Sequence, residues 1–143
     1  MLRDVREEDL DTLFEQQREP EAVAMAVFPA RERDAFDAHW RKLLADDRLF
    51  VRAIEVDGEV AGNIGSWEQD GLQLVGYWLG RDFWGHGLAT TALAEFVREL
   101  ETRPLHAWVA SSNVGSTRVL EKCGFVRVGE RTTDVEEYLY ELV

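Results

Sequence analysis

Two Asp-Gly dipeptides, Asp57-Gly58 and Asp70-Gly71, cut the middle of the chain into three consecutive strand-like runs. Asp-Gly supplies the positive φ angles that a tight hairpin turn needs. The run Phe50, Val51, Ala53, Ile54 and Val56 therefore pairs with Val60 to Trp67, and Leu72 to Leu79 follows the second turn. This third run is too apolar and too continuous for a strand with one wet face, so it predicts a central strand. The rest of the chain has to cover a sheet built around these residues.

Helical periodicity supplies the cover. From Glu7 to Glu19 the stripe Leu10, Leu13, Phe14 and Gln17 predicts a first helix that Pro20 ends, with an irregular stretch expected through Pro29. A second helix, Arg33 to Ala45, carries Phe36, Trp40, Leu43 and Leu44. Ala89, Leu93, Phe96, Val97 and Leu100 mark a strongly amphipathic helix over Gly87 to Leu100. Beyond Pro104, Leu105 to Ala110 reads as a strand. Val114 to Lys122 reads as a short helix, with Asn113 as N-cap and Gly124 as the left-handed residue past its end. Two strands, Phe125 to Arg131 and Glu136 to Leu142, close the chain. Helices flanked by strands on both sides predict a mixed α/β sheet. The 143 residues suit one domain, 1–143.

Charge narrows the partners. Twenty-eight acidic residues against sixteen basic ones give −12, which opposes contact with nucleic-acid phosphates and anionic membranes and reads either as a solubility charge or as an attraction for cations such as amines. No run approaches the eighteen apolar residues of a membrane-spanning helix. A lone Cys123 allows no internal disulfide, and Met1-Leu2-Arg3-Asp4 opens no signal peptide, so a cytoplasmic location is expected.

The stretch Trp78-Leu79-Gly80-Arg81-Asp82-Phe83-Trp84-Gly85-His86-Gly87-Leu88-Ala89-Thr90 runs from strand through loop to helix start. A helix start offers unpaired N–H groups and the positive end of the dipole, and glycines let a phosphate approach the backbone. Gly85 and Gly87 also read simply as a tight strand-to-helix turn. The spacing fits neither a Walker phosphate loop nor a dinucleotide fingerprint.

Trp84-x-x-Gly87-x-Ala89 resembles the Q/R-x-x-G-x-G/A signature of the GNAT superfamily of acyl-CoA N-acyltransferases. Tyr77-Trp78-Leu79-Gly80, Asn113-x-x-Ser116 and Leu120-Glu121-Lys122-Cys123-Gly124-Phe125 resemble its ribosomal-protein alanine acetyltransferase branch, and the resemblance covers nearly the whole chain. It implies an α+β fold with a twisted, largely antiparallel sheet whose central strands splay, Gly76 permitting a bulge. It also implies acetyl-CoA as co-substrate without a metal, an amine acceptor, and a monomer or homodimer. Backbone groups of Tyr77, Trp78 and Leu79 would face the pantetheine arm. Amides across Gly85, His86, Gly87, Leu88, Ala89 and Thr90 would hold the pyrophosphate, and Asn113 would hydrogen-bond pantetheine. Arg81, His86, Arg118 and Lys122 would add positive potential.

The reaction implied is direct attack of a neutral primary amine on the acetyl thioester, with a strand N–H stabilising the oxyanion. Two family roles are displaced. The position seven after Asn113, a Tyr acid in many members, is Leu120, and the position five before it, a Glu in some, is Trp108. The resemblance to the alanine acetyltransferase branch implies Ser116 as the acid or sulfur-positioning hydroxyl, and Ser116 reads equally as a capping group of the short helix. Glu68 and Glu136 are the candidate bases, or solvated surface charges. Cys123 reads as a small buried hydrophobe. Trp40, Trp67, Trp78, Trp84 and Trp108 read first as core residues, and Trp67 and Trp78 also as lining of an acceptor cleft. A CoA-binding module without catalysis is the alternative.

Overall fold

The computed structural model describes residues 1–26, 30–47 and 49–143. The hairpin reading holds. Strands β2 (Phe50–Val56), β3 (Glu59–Gln69) and β4 (Leu72–Leu79) form an antiparallel meander, and Asp57, Gly58, Asp70 and Gly71 all take positive φ. With β1 (Leu2–Arg3), β5 (Leu105–Ala110), β6 (Val126–Thr132) and β7 (Glu136–Leu142) they make a seven-stranded sheet. Its order is β1-β2-β3-β4-β5-β7-β6, antiparallel except between β4 and β5. The long apolar run is indeed central.

Helices cover both faces. On one, α1 (Leu10–Gln17) and α3 (Arg33–Ala45) bury Leu10, Leu13, Phe14, Phe36 and Trp40 over Val51 and Val60. On the other, α4 (Leu88–Glu99) and α5 (Val114–Lys122) bury Leu93, Phe96 and Leu120 against Ile54, Ile64, Val75, Leu105 and Tyr140. Each fully buried aliphatic or aromatic side chain contributes about 1.5–3 kcal/mol, so these layers set the sheet's position. Leu44, expected in the second helix's stripe, is 43% exposed.

Three expectations change. The first helix is a 3₁₀ turn at Glu7–Asp9 followed by α1, which stops at Gln17. Pro20 does not open an irregular stretch: it starts a further helix, α2 (Pro20–Ala26), because a first-turn N–H has no partner to lose and proline's φ is already helical. The rest of that expected stretch, residues 27–29, lies outside the described residues. No bulge forms at Gly76, since the β3–β4 register runs unbroken through Gly65↔Gly76. A Cβ at Gly76 would come within 2.9 Å of the Trp67 ring, so the glycine makes room for that indole.

Among the described residues, no helix is long and apolar enough to cross a membrane.

Candidate active site

The site begins where the sheet comes apart. Strands β4 and β5 share a single paired register, Leu74↔His106. Beyond it β4 stays with β3 to Leu79, and β5 stays with β7 to Ala110. Their facing edges therefore leave the ladder, and on this side of the sheet a cleft of about 450 Å³ opens between β4 and α5. Tyr77, Trp78 and Leu79 form one wall, and Asn113, Ser116, Arg118 and Lys122 at the start and along the face of α5 form the other.

The loop closing this cleft is shaped by its glycines. Gly85 and Gly87 take φ of +79° and +72°, and a Cβ on either would meet nothing within 4 Å. They are thus both the tight turn and an open approach to the backbone. Gly87 caps α4 without a side-chain hydrogen bond, leaving the first-turn amides of a twelve-residue helix facing the cleft beside Leu88, Ala89 and Thr90. The Trp84 indole donates to the Leu79 carbonyl at 2.9 Å and ties the loop to the strand. Arg118 and Lys122, one helical turn apart, bring two cations to the wall. Arg81 is committed elsewhere, 3.1 Å from Glu21 and stacked on Trp84, and His86 does not line the cleft.

A second cleft, about 790 Å³, lies between the sheet and the α1–α3 layer. Trp40, Trp67, Trp78 and Trp108 line it together with His39, Arg131 and Glu137. Four residues belong to both clefts: Tyr77, Trp78, Asn113 and Ser116. At this junction the Tyr77 and Ser116 hydroxyls are 2.9 Å apart. Asn113 Oδ1 accepts from the Ser116 backbone N–H at 3.2 Å, so the cap of α5 is the asparagine and the serine hydroxyl is directed to Tyr77 instead. Burial pushes the Tyr77 phenol above its ordinary pKa, partly offset by the Ser116 hydrogen bond. Leu120, at the position of the family's tyrosine, is buried in the core.

The carboxylates fall unevenly. Glu68, opposite Gln73 near the end of β3, and Glu136, at the start of β7, are exposed and line neither cleft. Successive strand residues face opposite sides, and it is the neighbour Glu137 that lines the second cleft. Arg131 Nε donates to Glu137 at 2.9 Å, and its guanidinium sits 3.8 Å over the Trp108 ring. His39 is kept neutral-leaning: burial first, then the charges of Arg31 and Lys42, lower its pKa. Sequence reasoning missed the Tyr77 phenol, Glu137 and His39. Glu137 shares strand parity with Leu139 and Glu141, a signal usable only once the β5–β7 register is known. Cys123 is half-buried, donates to the Thr90 carbonyl at 3.5 Å, and has its pKa raised by burial, as suits a small packing residue.

The family of the acetyltransferase (GNAT) domain matches residues 1–126, which include the parting strand β4 and the glycine-rich start of α4. The chain belongs to this family. A Bacillus subtilis protein, YdaF, provisionally named a ribosomal N-acetyltransferase, is 28% identical over 105 residues, 68% of this chain. The chain spans 57% of that relative's length. Spermidine N-acetyltransferase from Vibrio cholerae, solved with CoA and spermine, superposes with a TM-score of 0.86 at 15% identity, over 99% of this chain and 94% of that one. Mycobacterium smegmatis RimJ, solved with CoA-disulfide, gives 0.82 at 22% identity, over 99% and 80%. These superpositions establish the GNAT fold.

A GNAT acetyltransferase domain uses acetyl-CoA as its co-substrate, and the first cleft has the donor set such a molecule needs. An uncapped helix start and two cations suit a pyrophosphate, and an unpaired strand edge suits an amide-bearing arm. Among the described residues no His, Cys, Asp and Glu gather into a metal-binding group.

Proposed function

We propose that this chain transfers the acetyl group of acetyl-CoA to a primary amine, either a protein N-terminal α-amine or a small-molecule amine, by direct attack within a ternary complex. The observation that carries this reading is the meeting of the two clefts at Tyr77, Trp78, Asn113 and Ser116. One cleft suits a pyrophosphate-bearing arm and the other an aromatic-lined acceptor, so the reacting groups would come together where β4 and β5 part.

Bound acetyl-CoA supplies a thioester-activated acetyl group. The chain's part is placement and proton handling. Backbone N–H groups from Gly85 to Thr90 would hold the pyrophosphate, Arg118 and Lys122 adding charge, while the free edge of β4 at Tyr77, Trp78 and Leu79 and the Asn113 amide would align the pantetheine. Ser116 would give a proton to the departing sulfur. Glu68 and Glu136 stand outside both clefts, so neither is kept as the base in this reading. An α-amine near pKa ~8 is partly neutral at pH 7, which lightens the need for one.

A calorimetric titration with acetyl-CoA tests the reading, with ATP and NAD as controls, followed by an amine screen that monitors thiol release. Selective binding and turnover support it. Binding without turnover of any amine would make the chain the non-catalytic CoA-binding module, and no binding would remove the cofactor cleft altogether.

A further inference from the structure

A GNAT reaction has to move one proton from the acceptor nitrogen to the CoA sulfur, and this chain is missing both usual carriers. The α5 position of the family acid is the buried Leu120. The β5 position of the family base is Trp108, and Glu137, which lines the acceptor cleft, is bound to Arg131. Two of the residues that line both clefts carry hydroxyls. Tyr77 Oη and Ser116 Oγ are 2.9 Å apart, and both residues line both clefts. Tyr77 comes from β4 and Ser116 from α5, so the hydrogen bond ties the strand to the helix beside the place where the sheet parts.

Resting on the acetyl-transfer reading, we propose that Tyr77 is a catalytic residue of this reaction and forms with Ser116 a two-hydroxyl relay that carries the acceptor's proton to the departing sulfur. The C–N bond forms first, giving the tetrahedral oxyanion, and the C–S bond breaks as that oxyanion collapses. The nitrogen's proton passes to the Tyr77 oxygen, the Tyr77 proton to the Ser116 oxygen, and the Ser116 proton to the sulfur. Both hydroxyls end as they began, and no outside base or acid is required. A phenol and an alcohol each donate and accept at once, which a carboxylate or an ammonium does not. The raised pKa of Tyr77 keeps its proton in place at neutral pH. Asn113 contributes by holding the Ser116 backbone, leaving the hydroxyl free of the helix end.

The test compares Tyr77→Phe, Ser116→Ala and the double variant. Each single change should lower kcat by about 10²-fold, the lower range for general acid–base catalysis, with KM for acetyl-CoA within about twofold. The double variant should be no slower than the slower single one, because residues acting as a unit are non-additive. Wild-type kcat in mixed light and heavy water should show more than one proton in flight, and Tyr77→Phe should abolish that curvature. A readout without turnover comes from tyrosine-labelled protein: the Tyr77 phenol should titrate at higher pH with CoA bound than with desulfo-CoA, and Ser116→Ala should erase the difference. Calorimetry with CoA shows whether each variant retains its fold. If Tyr77→Phe does not fold, the Ser116→Ala titration decides alone. Unchanged kcat in Tyr77→Phe, multiplicative losses in the double variant, or a Tyr77 titration indifferent to the sulfur overturns the relay. Failure of the wild type to acetylate any amine while binding acetyl-CoA instead overturns the acetyl-transfer reading on which the relay rests.

Discussion

Asp9 shows how one side chain can hold the start of the chain. Both its oxygens accept from Arg3, at 2.8 and 2.9 Å, and Oδ2 also accepts from the Arg6 backbone N–H at 2.7 Å. Arg3 in turn reaches Glu55 at 2.6 Å, so β1, the 3₁₀ turn before α1 and β2 share one charged cluster. Asp9 is 4% exposed. The Arg3 hydrogen bonds hold its pKa below the ordinary carboxylate value, against the opposing effect of burial. A depressed carboxylate pKa stabilises the fold above the unfolded-state value of ~3.9, and that contribution is lost as pH falls through the folded value. Asp9→Asn should therefore cost about 1–3 kcal/mol in urea melts at pH 7. It should also flatten the fall in stability below pH ~4 relative to wild type. Equal acid sensitivity in the two proteins would show that Asp9 is not the group titrating.

The strand-to-helix element at residues 79–90 reads most directly from sequence to structure, because its constraints are local. Positive φ at Gly87, the uncapped start of α4 and the tie from Trp84 to Leu79 all follow from residues within one short loop. Gly87→Ala places a Cβ in open space but at φ +72°, so it should lower stability by about 1–2 kcal/mol while CoA still binds. Gly87→Trp should eliminate CoA binding in calorimetry because the indole would fill the phosphate approach; retained affinity would move the pyrophosphate elsewhere. The meander was legible for the same reason, since Asp57-Gly58 and Asp70-Gly71 set their own turns. The α5 ends were as well: Asn113 caps and Gly124 takes φ +91°. Features that depend on register were not. Choosing between Glu136 and Glu137 needs the pairing of β7 with β5, and Tyr77 meets Ser116 only at a separation of 39 positions along the chain. Pro20 was misread because the residue that ends one helix also starts the next well.

Across the whole molecule, the charge of −12 and the charge inside the clefts point in opposite directions. Among the described residues, the first cleft carries Arg118 and Lys122 and no acidic residue. Among the described residues, the second cleft, proposed for the acceptor, holds Arg31 and Arg131 against Glu137 alone, and Glu137 is already paired. The acidic surplus therefore lies outside both clefts, where it acts over a Debye length of about 8 Å at physiological salt and is screened beyond that. Such a field raises the encounter rate of cationic amines but offers no bound partner for a second ammonium. If the chain acetylates amines as proposed, kcat/KM for a monoamine should fall with added salt while kcat stays constant. A polyamine should gain less than about fivefold over a monoamine of equal length, because an extra charge meets only exposed carboxylates worth at most about 1 kcal/mol. The measurement is kcat/KM for a matched mono-, di- and triamine series across ionic strength. A preference for the triamine above that limit, persisting at high salt, would require acidic groups in the acceptor cleft itself and would move the acceptor site away from the Trp108–Arg131–Glu137 wall.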